Sequence, residues 1–481
     1  MRSTSVTDQL SKTEAPSGGV QETGVAFAVV VLVGIFMAGL DIFIVNVALP
    51  SISGDLGAGP SELEWIVAGY ALPYGVALVT GARLGDLFGR RALFLWGIGG
   101  FTLASAACGF APSPGVLIAA RVVQGLAAAA ASPQVIASLT AAYSGRARAR
   151  VVDAYAFTLG IAAVLGQLIG GVLLRLDIAH SGWRACFLVN IPVGIAVILA
   201  GRRYFVKVPT HPARFDPAGT GLLGAGLLLL VLPLVEGHAQ GWPVWIWVCL
   251  AASAVVLTVF AGYERRFASR GGAPLVNMAL FGERAFSAGM GLQLVFWMGQ
   301  GAFFFVLALY CQDGLRLAPV KAGLVFLPMG LGYMITSMTA RHIAARFGRQ
   351  VLAAGALLMV IAEVGLILLE SHVSPAQPWL LDVPLFVDGL GMGLVVGPLA
   401  STIMAGVEPK HIGAASGVFN AGLQVATAAG VALGGIVFYS KVSGNPAGDR
   451  NAFVDVLPYL IGVGVVAALL AQLLPQRRNS R

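Results

Sequence analysis

The amino-acid sequence predicts an all-α integral membrane protein with fourteen membrane-spanning helices. Of its 481 residues, 57% are hydrophobic and only 11% are charged, whereas a soluble domain carries about 25% charged residues. Apolar segments long enough to cross the hydrocarbon core, roughly 20 residues each, recur from residue 25 to residue 474. Most of the 30 Lys and Arg residues lie in alternate connecting segments, which is the bias typical of cytoplasmic loops.

The apolar segments define the predicted spans. They lie near residues 25–49, 64–82, 92–110, 115–140, 151–174, 184–201, 218–236, 243–263, 286–311, 320–341, 350–369, 380–404, 411–438 and 454–474. Because the number is even, both termini lie on one side, and the basic segments indicate the cytoplasm. We therefore expect a multi-pass protein of the plasma membrane. The net charge of +8 is then topogenic, and nucleic acid is not expected as a partner.

Two cytoplasmic loops resemble each other and divide the chain into halves. The segment 82–91 (ARLGDLFGRR) and the segment 345–350 (ARFGRQ) both centre on Phe-Gly-Arg. Their spacing predicts two six-helix bundles with an inserted helix pair between them. The predicted parts are a disordered cytoplasmic tail 1–24, a bundle 25–201, a linker with two spans 202–285, a bundle 286–474 and a cytoplasmic tail 475–481.

Asp41 and Arg121 are the first candidates for a functional site. Asp41 lies in the outer part of the first span and Arg121 in the outer part of the fourth. At 1.5 Å per residue, both lie roughly 10–12 Å below the outer surface. A charged residue in the bilayer is costly and is a functional candidate by default. We expect Asp41 to take up a proton and Arg121 to set its proton affinity; a permanent structural ion pair is the alternative.

The chain offers no sequence signal for a cofactor, a metal or a catalytic residue. It contains no Gly-x-x-x-x-Gly-Lys-Ser/Thr motif, so ATP is not expected as the energy source. Its four cysteines have no metal-ligand spacing and are expected to be free thiols. We do not expect an enzyme or a cofactor, and the intramembrane carboxylates make the proton gradient the expected energy source. Its expected partners are a small-molecule substrate, protons and the lipid bilayer, and we expect a monomer.

Five stretches in order resemble the major facilitator superfamily, in particular its fourteen-span drug:proton antiporter branch. They are 40–50 (LDIFIVNVALP), 84–91 (LGDLFGRR), 121–125 (RVVQG), 182–194 (GWRACFLVNIPVG) and 415–424 (ASGVFNAGLQ). Phe43 stands where the branch usually has Thr, and Ala82 where the loop motif opens with Gly. The resemblance covers the chain after its first residues and implies the major-facilitator fold, with a central cavity between the two bundles.

The resemblance also assigns expected roles. Spans 1 and 4 line the cavity, and so does span 12, where Asp388 is a second proton site or attracts a cationic substrate; a carboxylate in an outward vestibule is equally consistent. Glu363 in span 11 is expected near the interface or packed peripherally. Expected substrate-binding residues are Trp297, Gln300, Phe304, Tyr70, Asn420 and Gln424, although the polar ones among them could instead bridge helices.

Two groups are expected to control the conformational change. Asp86, Gly89, Arg90 and Arg91 form the loop motif, in which Asp86 docks on the N-terminus of span 13 near His411 and acts as a latch or as a topological anchor. Gly166, Gln167, Gly170 and Gly171 stand at the fifth-helix antiporter motif. Gln167 replaces the usual Pro there, so the usual helix bend is not expected.

The sequence favours a proton-coupled exporter of lipophilic, cationic or amphiphilic drugs that works by alternating access. A dedicated exporter of one cellular metabolite or natural product, conferring self-resistance, is the main alternative. A proton symporter remains open because of Gln167, and so does a membrane sensor that moves nothing. For the sensor, Asp41 and Arg121 would both be buried away from a water cavity.

Overall fold

The computed structural model describes residues 24–177, 180–206, 216–272, 274–370, 372–374, 376–405, 407, 412–441 and 446–475. Within these residues the chain is helical and contains no strand, which confirms the all-α prediction. Helices long and apolar enough to cross a membrane number thirteen in this part, or fourteen when the two bent portions of the fifth are counted as one span. The protein is therefore a multi-pass membrane protein.

The first six spans form the N-terminal bundle. They are α1 (Val25–Leu56), α2 (Pro60–Phe88), α3 (Arg90–Gly109), α4 (Pro114–Ala142), α5 (Gly145–Leu176) and α6 (Gly182–Tyr204). The helix α6 begins with a 3-10 turn, Gly182–Arg184, and continues from Ala185. Helix α2 packs on α4, α3 on α4 and α1 on α5, so the six helices enclose one interior.

The inserted pair and the C-terminal bundle follow. They are α7 (Pro217–Ala239), α8 (Val244–Ser269), α9 (Arg284–Leu309), α10 (Pro319–Val325 and Leu327–Phe347), α11 (Gln350–Glu370), α12 (Asp382–Ala405), α13 (Ile412–Tyr439) and α14 (Pro446–Leu473). A π-helical turn, Tyr310–Gly314, extends α9. Helix α10 packs on α12, α12 on α11 and α9 on α13.

The ends of α1 and α2 differ from the prediction. Pro50 lies inside α1, and the helix ends about two turns later at Gly57, whose φ of 67° suits a residue without a side chain. The second helix already begins at Pro60, with Glu62 accepting a hydrogen bond from the Gly59 amide. Glu64 therefore lies one turn inside α2 instead of at its border.

The two bundles meet along α2 with α13, α5 with α10, and α1 with α9. A continuous hydrophobic cluster extends across this contact, from Ile44 and Val45 of α1 to Phe303 and Val306 of α9. Gln312 in the π-helical turn donates from Nε2 to the carbonyl of Val47, at 2.9 Å. At the end predicted to be extracellular, the space between the bundles is therefore closed.

The inserted pair lies beside the contact between α2 and α13. Helix α7 packs on both of these helices, whereas α8 packs on α7. Small and branched side chains fill the junction: Ala68, Ala71 and Leu72 of α2, Leu227, Val231 and Val235 of α7, and Ala428 and Ala432 of α13. The pair is thus an addition to the outside of the two bundles and is not part of the interior of either.

Candidate functional site

Asp41 and Arg121 lie in direct contact inside the N-terminal bundle. Arg121 Nη1 donates to Asp41 Oδ2 in a buried ion pair. The other carboxylate oxygen, Oδ1, accepts from Asn190 Nδ2 at 2.8 Å and from Gln124 Nε2 at 3.0 Å. Arg121 Nε donates to the carbonyl of Ile66 at 3.0 Å. Each charged group is thus satisfied by several partners, the arrangement that a buried ion pair needs.

The cavity position expected for this pair is wrong for the conformation described here. Asp41 and Arg121 are each 0% exposed. The Tyr70 ring covers the guanidinium with its centroid 4.4 Å away, and Phe187 covers it at 5.7 Å. The rotation of each helix about its own axis directs both side chains into the bundle. The depth of a residue along the helix does not determine that rotation. The pair is enclosed between α1, α2, α4 and α6.

Three further polar residues belong to this network and were not predicted. Gln124 accepts from Arg121 Nη1 at 2.7 Å and donates to Ser105 Oγ at 2.8 Å. Asn190 donates to Asp41, and Asn190 Nδ2 also lies 3.4 Å from Ser105 Oγ. Gln124 and Asn190 occur in the stretches 121–125 and 182–194, so their polarity inside a span was the available signal. The network links four helices of one bundle.

Glu64 is a second buried acid, and sequence analysis missed it. Its side chain is 3% exposed, and its Oε2 atom has no hydrogen-bond partner among the described residues. The carboxyl group fills the space over Gly435 of α13, where an added Cβ would overlap it. The hydroxyl of Tyr439, also on α13, is likewise buried without a described partner. Glu64 therefore places an acid at the contact between the two bundles.

A pair of acids lies inside the C-terminal bundle. Asp388 of α12 is 1% exposed, and both of its carboxyl oxygens lack partners in the described part of the chain. Glu363 of α11 is 4% exposed, and its Oε2 is also unpartnered there. The vestibule position considered for Asp388 is not observed, and of the two positions expected for Glu363 the packed one is found, because α10, α11, α12 and α14 pack closely around both acids.

The expected substrate-binding residues divide between two places. Phe304 lies between the bundles: its ring contacts Phe43 of α1 edge-on at 5.3 Å and stacks on Phe326 at 6.0 Å. These rings close the middle of the contact, leaving a cavity of about 20 Å³ bordered by Tyr333 and Met392. Tyr70 does not reach this space, because it covers Arg121 and donates to the Ala38 carbonyl at 3.2 Å.

The remaining expected substrate residues lie on α9 and α13. Trp297 is partly buried and packs edge-on against Phe296, with ring centroids 5.4 Å apart. Gln300 is 2% exposed with its Oε1 unpartnered within the described residues. Gln424 is 7% exposed and packs over Gly75 of α2, and Asn420 is half-buried. Gln300 and Gln424 are thus buried in this conformation, whereas Trp297 and Asn420 keep part of their surface exposed.

The loop motif forms a compact set of contacts. Arg90 Nη2 pairs with Asp86 Oδ1 at 3.2 Å, and Arg90 Nη1 donates to the carbonyl of Ala137 in α4 at 3.1 Å. Gly89 has a φ of 89°, which favours glycine, and Arg91 donates to the Arg202 carbonyl. His411, expected to mark the docking point of Asp86, lies outside the described residues.

The glycines of α5 allow close backbone contacts with two neighbours. Gly166 and Gly170 lie against the backbone of α1, where an added Cβ would approach the carbonyl oxygens of Leu40 and Ile44 to 3.0 Å. Gly171 faces the Pro319 carbonyl of α10, and Gly323 of α10 faces the Gln167 carbonyl. The side chain of Gln167 is fully buried. These glycines therefore join α5 both to its own bundle and to the opposite one.

The expected absence of a bend in α5 is wrong. The portions Gly145–Ala163 and Leu165–Leu176 meet at 41°. No proline lies in α5, so the change of direction does not depend on one. It occurs just before Gly166, where the helix comes into backbone contact with α1.

Replacing Gly171 with valine is expected to slow transport. The added Cβ would come within 2.5 Å of the Pro319 carbonyl oxygen, and overpacking of this kind costs about 1–3 kcal/mol. The population of the conformation in which α5 and α10 are in contact would then fall roughly tenfold or more. Uptake into vesicles measures the rate, and Gly115→Val, at a glycine with nothing within 4 Å, is the control. An unchanged rate in Gly171→Val would contradict this role.

Residues 31–431 match the Major Facilitator Superfamily. The chain belongs to this family of membrane transporters, which confirms the predicted family and its two-bundle fold. Solved structures show the same fold: the xylose transporter of E. coli in a partially occluded inward-open conformation (TM-score 0.64, 14% identity, 95% of this chain and 99% of that one) and a bacterial homologue of the human lysosomal transporter Spinster (TM-score 0.64, 15% identity, 94% and 97%).

Particular relatives are exporters and resistance proteins. The chain is 36% identical over 404 residues to the probable actinorhodin transporter of Streptomyces coelicolor, covering 83% of this chain and 70% of that protein. It is 34% identical over 456 residues to the cephamycin export protein of Amycolatopsis lactamdurans, covering 91% and 90%. It is 32% identical over 413 residues to the multidrug resistance protein Stp of Mycobacterium tuberculosis, covering 85% and 75%. These similarities support an exporter.

Proposed function

We propose that this protein is a proton-coupled exporter of lipophilic organic molecules that works by alternating access. Its relatives are named as a probable actinorhodin transporter, a cephamycin export protein and a multidrug resistance protein. We place it in the plasma membrane with both termini in the cytoplasm, following the bias of its basic residues. A membrane sensor that transports nothing would also have Asp41 and Arg121 buried away from a cavity. The relatives named for transport and export favour a transporter instead.

The position of Glu64 is the observation that supports proton coupling most directly. A buried carboxylate without enough partners costs several kcal/mol, so the group fits this contact best as a neutral, protonated acid. Loss of the proton would place a charge between α2 and α13 and favour their separation. Protonation would then accompany closure of the predicted extracellular end, which links the proton gradient to the conformational change.

Asp388 and Glu363 are further proposed proton sites, because both are enclosed in the C-terminal bundle with unpartnered oxygens. Asp41 has a different setting. Its carboxylate already accepts hydrogen bonds from three residues, so taking up a proton there requires Arg121 to move away. We propose that this exchange occurs in another conformation of the N-terminal bundle.

For the cargo we propose flat, lipophilic and cationic or amphiphilic molecules. The contact between the bundles is lined by the rings of Phe43, Phe304 and Phe326, and aromatic faces attract flat and cationic groups. A dedicated exporter of one natural product is the second candidate. The relatives named for actinorhodin and cephamycin favour it, whereas the multidrug resistance protein favours broad selection.

A pH-jump assay in proteoliposomes tests both candidates. The purified protein is given an imposed proton gradient and a panel of cationic, neutral and anionic compounds. Gradient-dependent movement of several unrelated lipophilic cations supports broad export, and movement of one compound alone supports the dedicated exporter. Movement with the proton instead of against it would show symport. Transport of every compound at the same rate without a gradient would refute proton coupling.

A further inference from the structure

An open groove lies on the outer surface of the N-terminal bundle, between α3 and α6. Its volume is about 850 Å³. It opens to the surroundings of the bundle, since Trp96 and Leu103 on its wall are 62% and 75% exposed. Neither the proposed transport route nor the proton sites lie within it. The groove is therefore separate from the cargo contact and the proton sites, and it shares only Gly89, Arg90 and Arg91 with the loop motif.

One end of the groove is basic. Arg90, Arg91 and Arg202 line it, and none of its lining residues, all of which the structure describes, is acidic. Arg90 is already paired with Asp86. Arg91 Nε is buried without a hydrogen-bond partner among the described residues, although Nη2 donates to a carbonyl. Arg202 has an exposed side chain. Two guanidinium groups thus have donors available for an anion.

The rest of the groove is apolar. Leu95, Trp96, Leu103 and Ile198 form its walls, and glycines at 99 and 100 leave its floor without side chains. From Arg91 to Leu103 the helix rises roughly 18 Å, close to the roughly 15 Å of hydrocarbon in one leaflet. The groove therefore has the length of a lipid acyl chain and a cationic end at the predicted cytoplasmic surface.

We propose that this groove binds an anionic phospholipid of the inner leaflet. The headgroup phosphate accepts hydrogen bonds from Arg91 and Arg202, and one acyl chain lies along α3 over Gly99. Anionic lipids are concentrated in the cytoplasmic leaflet, where each nearby Arg strengthens binding. Guanidinium groups suit phosphate because they donate two parallel hydrogen bonds. A free anion would use the basic end alone and would leave the apolar walls uncovered.

Native mass spectrometry of the full-length protein with equal amounts of phosphatidylglycerol and phosphatidylcholine tests the headgroup. Arg202→Gln is expected to lower phosphatidylglycerol retention about fivefold, and Arg202→Lys to restore much of it. Arg203→Gln, at the neighbouring exposed arginine that does not line the groove, is the matched control and should retain the wild-type amount. Equal retention of the two lipids by the wild type would overturn the proposal.

The acyl chain is tested separately. Gly99→Leu should fill the groove, since an added Cβ meets only Ile198 at 4.0 Å, and should reduce phosphatidylglycerol retention. Gly462→Leu, at an exposed glycine of α14 with nothing within 4 Å, is its control. Phosphatidylglycerol with brominated chains should quench tryptophan fluorescence more strongly in the wild type than in Trp96→Phe. If inorganic phosphate displaces the lipid fully, or Gly99→Leu retains it, the site is an anion site and the proposal fails.

Discussion

Arg121→Gln is expected to lower the free energy of unfolding by about 3–5 kcal/mol and to abolish transport. The substitution leaves Asp41 as a buried charge whose ion pair is gone, and removing one partner of such a pair carries a cost of this size. The hydrogen bonds to Ile66 and Gln124 are lost with it. The measurement is thermal and denaturant unfolding of the purified protein in detergent, together with uptake in vesicles.

The ion pair between Arg184 and Asp55 provides a matched control. Its side chains are 30% and 49% exposed, so Arg184→Gln should cost no more than about 1 kcal/mol. The double variant Asp41→Asn, Arg121→Gln removes both charges. It should regain most of the stability that Arg121→Gln loses, but it should not regain transport. If Arg121→Gln is as stable as the wild type, the pair is not the structural centre of the N-terminal bundle.

Glu64→Gln is expected to leave the protein folded but to uncouple transport from the proton gradient. Glutamine has the shape of the neutral acid and can occupy the same space over Gly435. Because it cannot release a proton, the contact between α2 and α13 should stay closed, and gradient-driven export should fall at least about tenfold, equivalent to roughly 1.4 kcal/mol. Uptake into vesicles with and without a pH gradient measures the effect.

The neighbouring acid Glu236 serves as the comparison for this experiment. It accepts a hydrogen bond from Trp65 Nε1 at 2.9 Å, so Glu236→Gln should keep much of the gradient dependence. A Glu64→Gln variant that still responds fully to the pH gradient would remove Glu64 from the coupling mechanism. Asp388 and Glu363 would then become the leading sites, and the corresponding Asn and Gln variants test them in the same assay.

Much of the fold could be predicted from the sequence because bilayer thickness sets the length of the apolar segments that form the helices. The boundary of α1 could not, since Pro50 is a common end signal yet lies inside the helix. The helix ends at Gly57 instead. The predicted second span begins at Glu64, whereas α2 begins at Pro60. Because Glu64 was expected at the end of a span, the sequence did not indicate that it lies buried between the bundles.

The candidate site was predictable in part. The positions of Asp41 and Arg121 along their helices predict the same depth in the membrane, and in the structure the two side chains form an ion pair. Depth does not specify rotation about the helix axis, so the sequence could not distinguish the cavity from the bundle interior. The partners Gln124, Asn190 and Ser105 come from three different helices. Their convergence depends on packing that no local pattern encodes.

The glycine contacts between α5 and α10 have a consequence for the speed of the transport cycle. At Gly171 with Pro319, and at Gly323 with Gln167, main chain rests on main chain without interlocking side chains. Surfaces of this kind can part and rejoin without any rotamer having to change first. These two points of contact should therefore add little to the barrier to reopening, which arises instead where side chains interlock, as between Phe43 and Phe304.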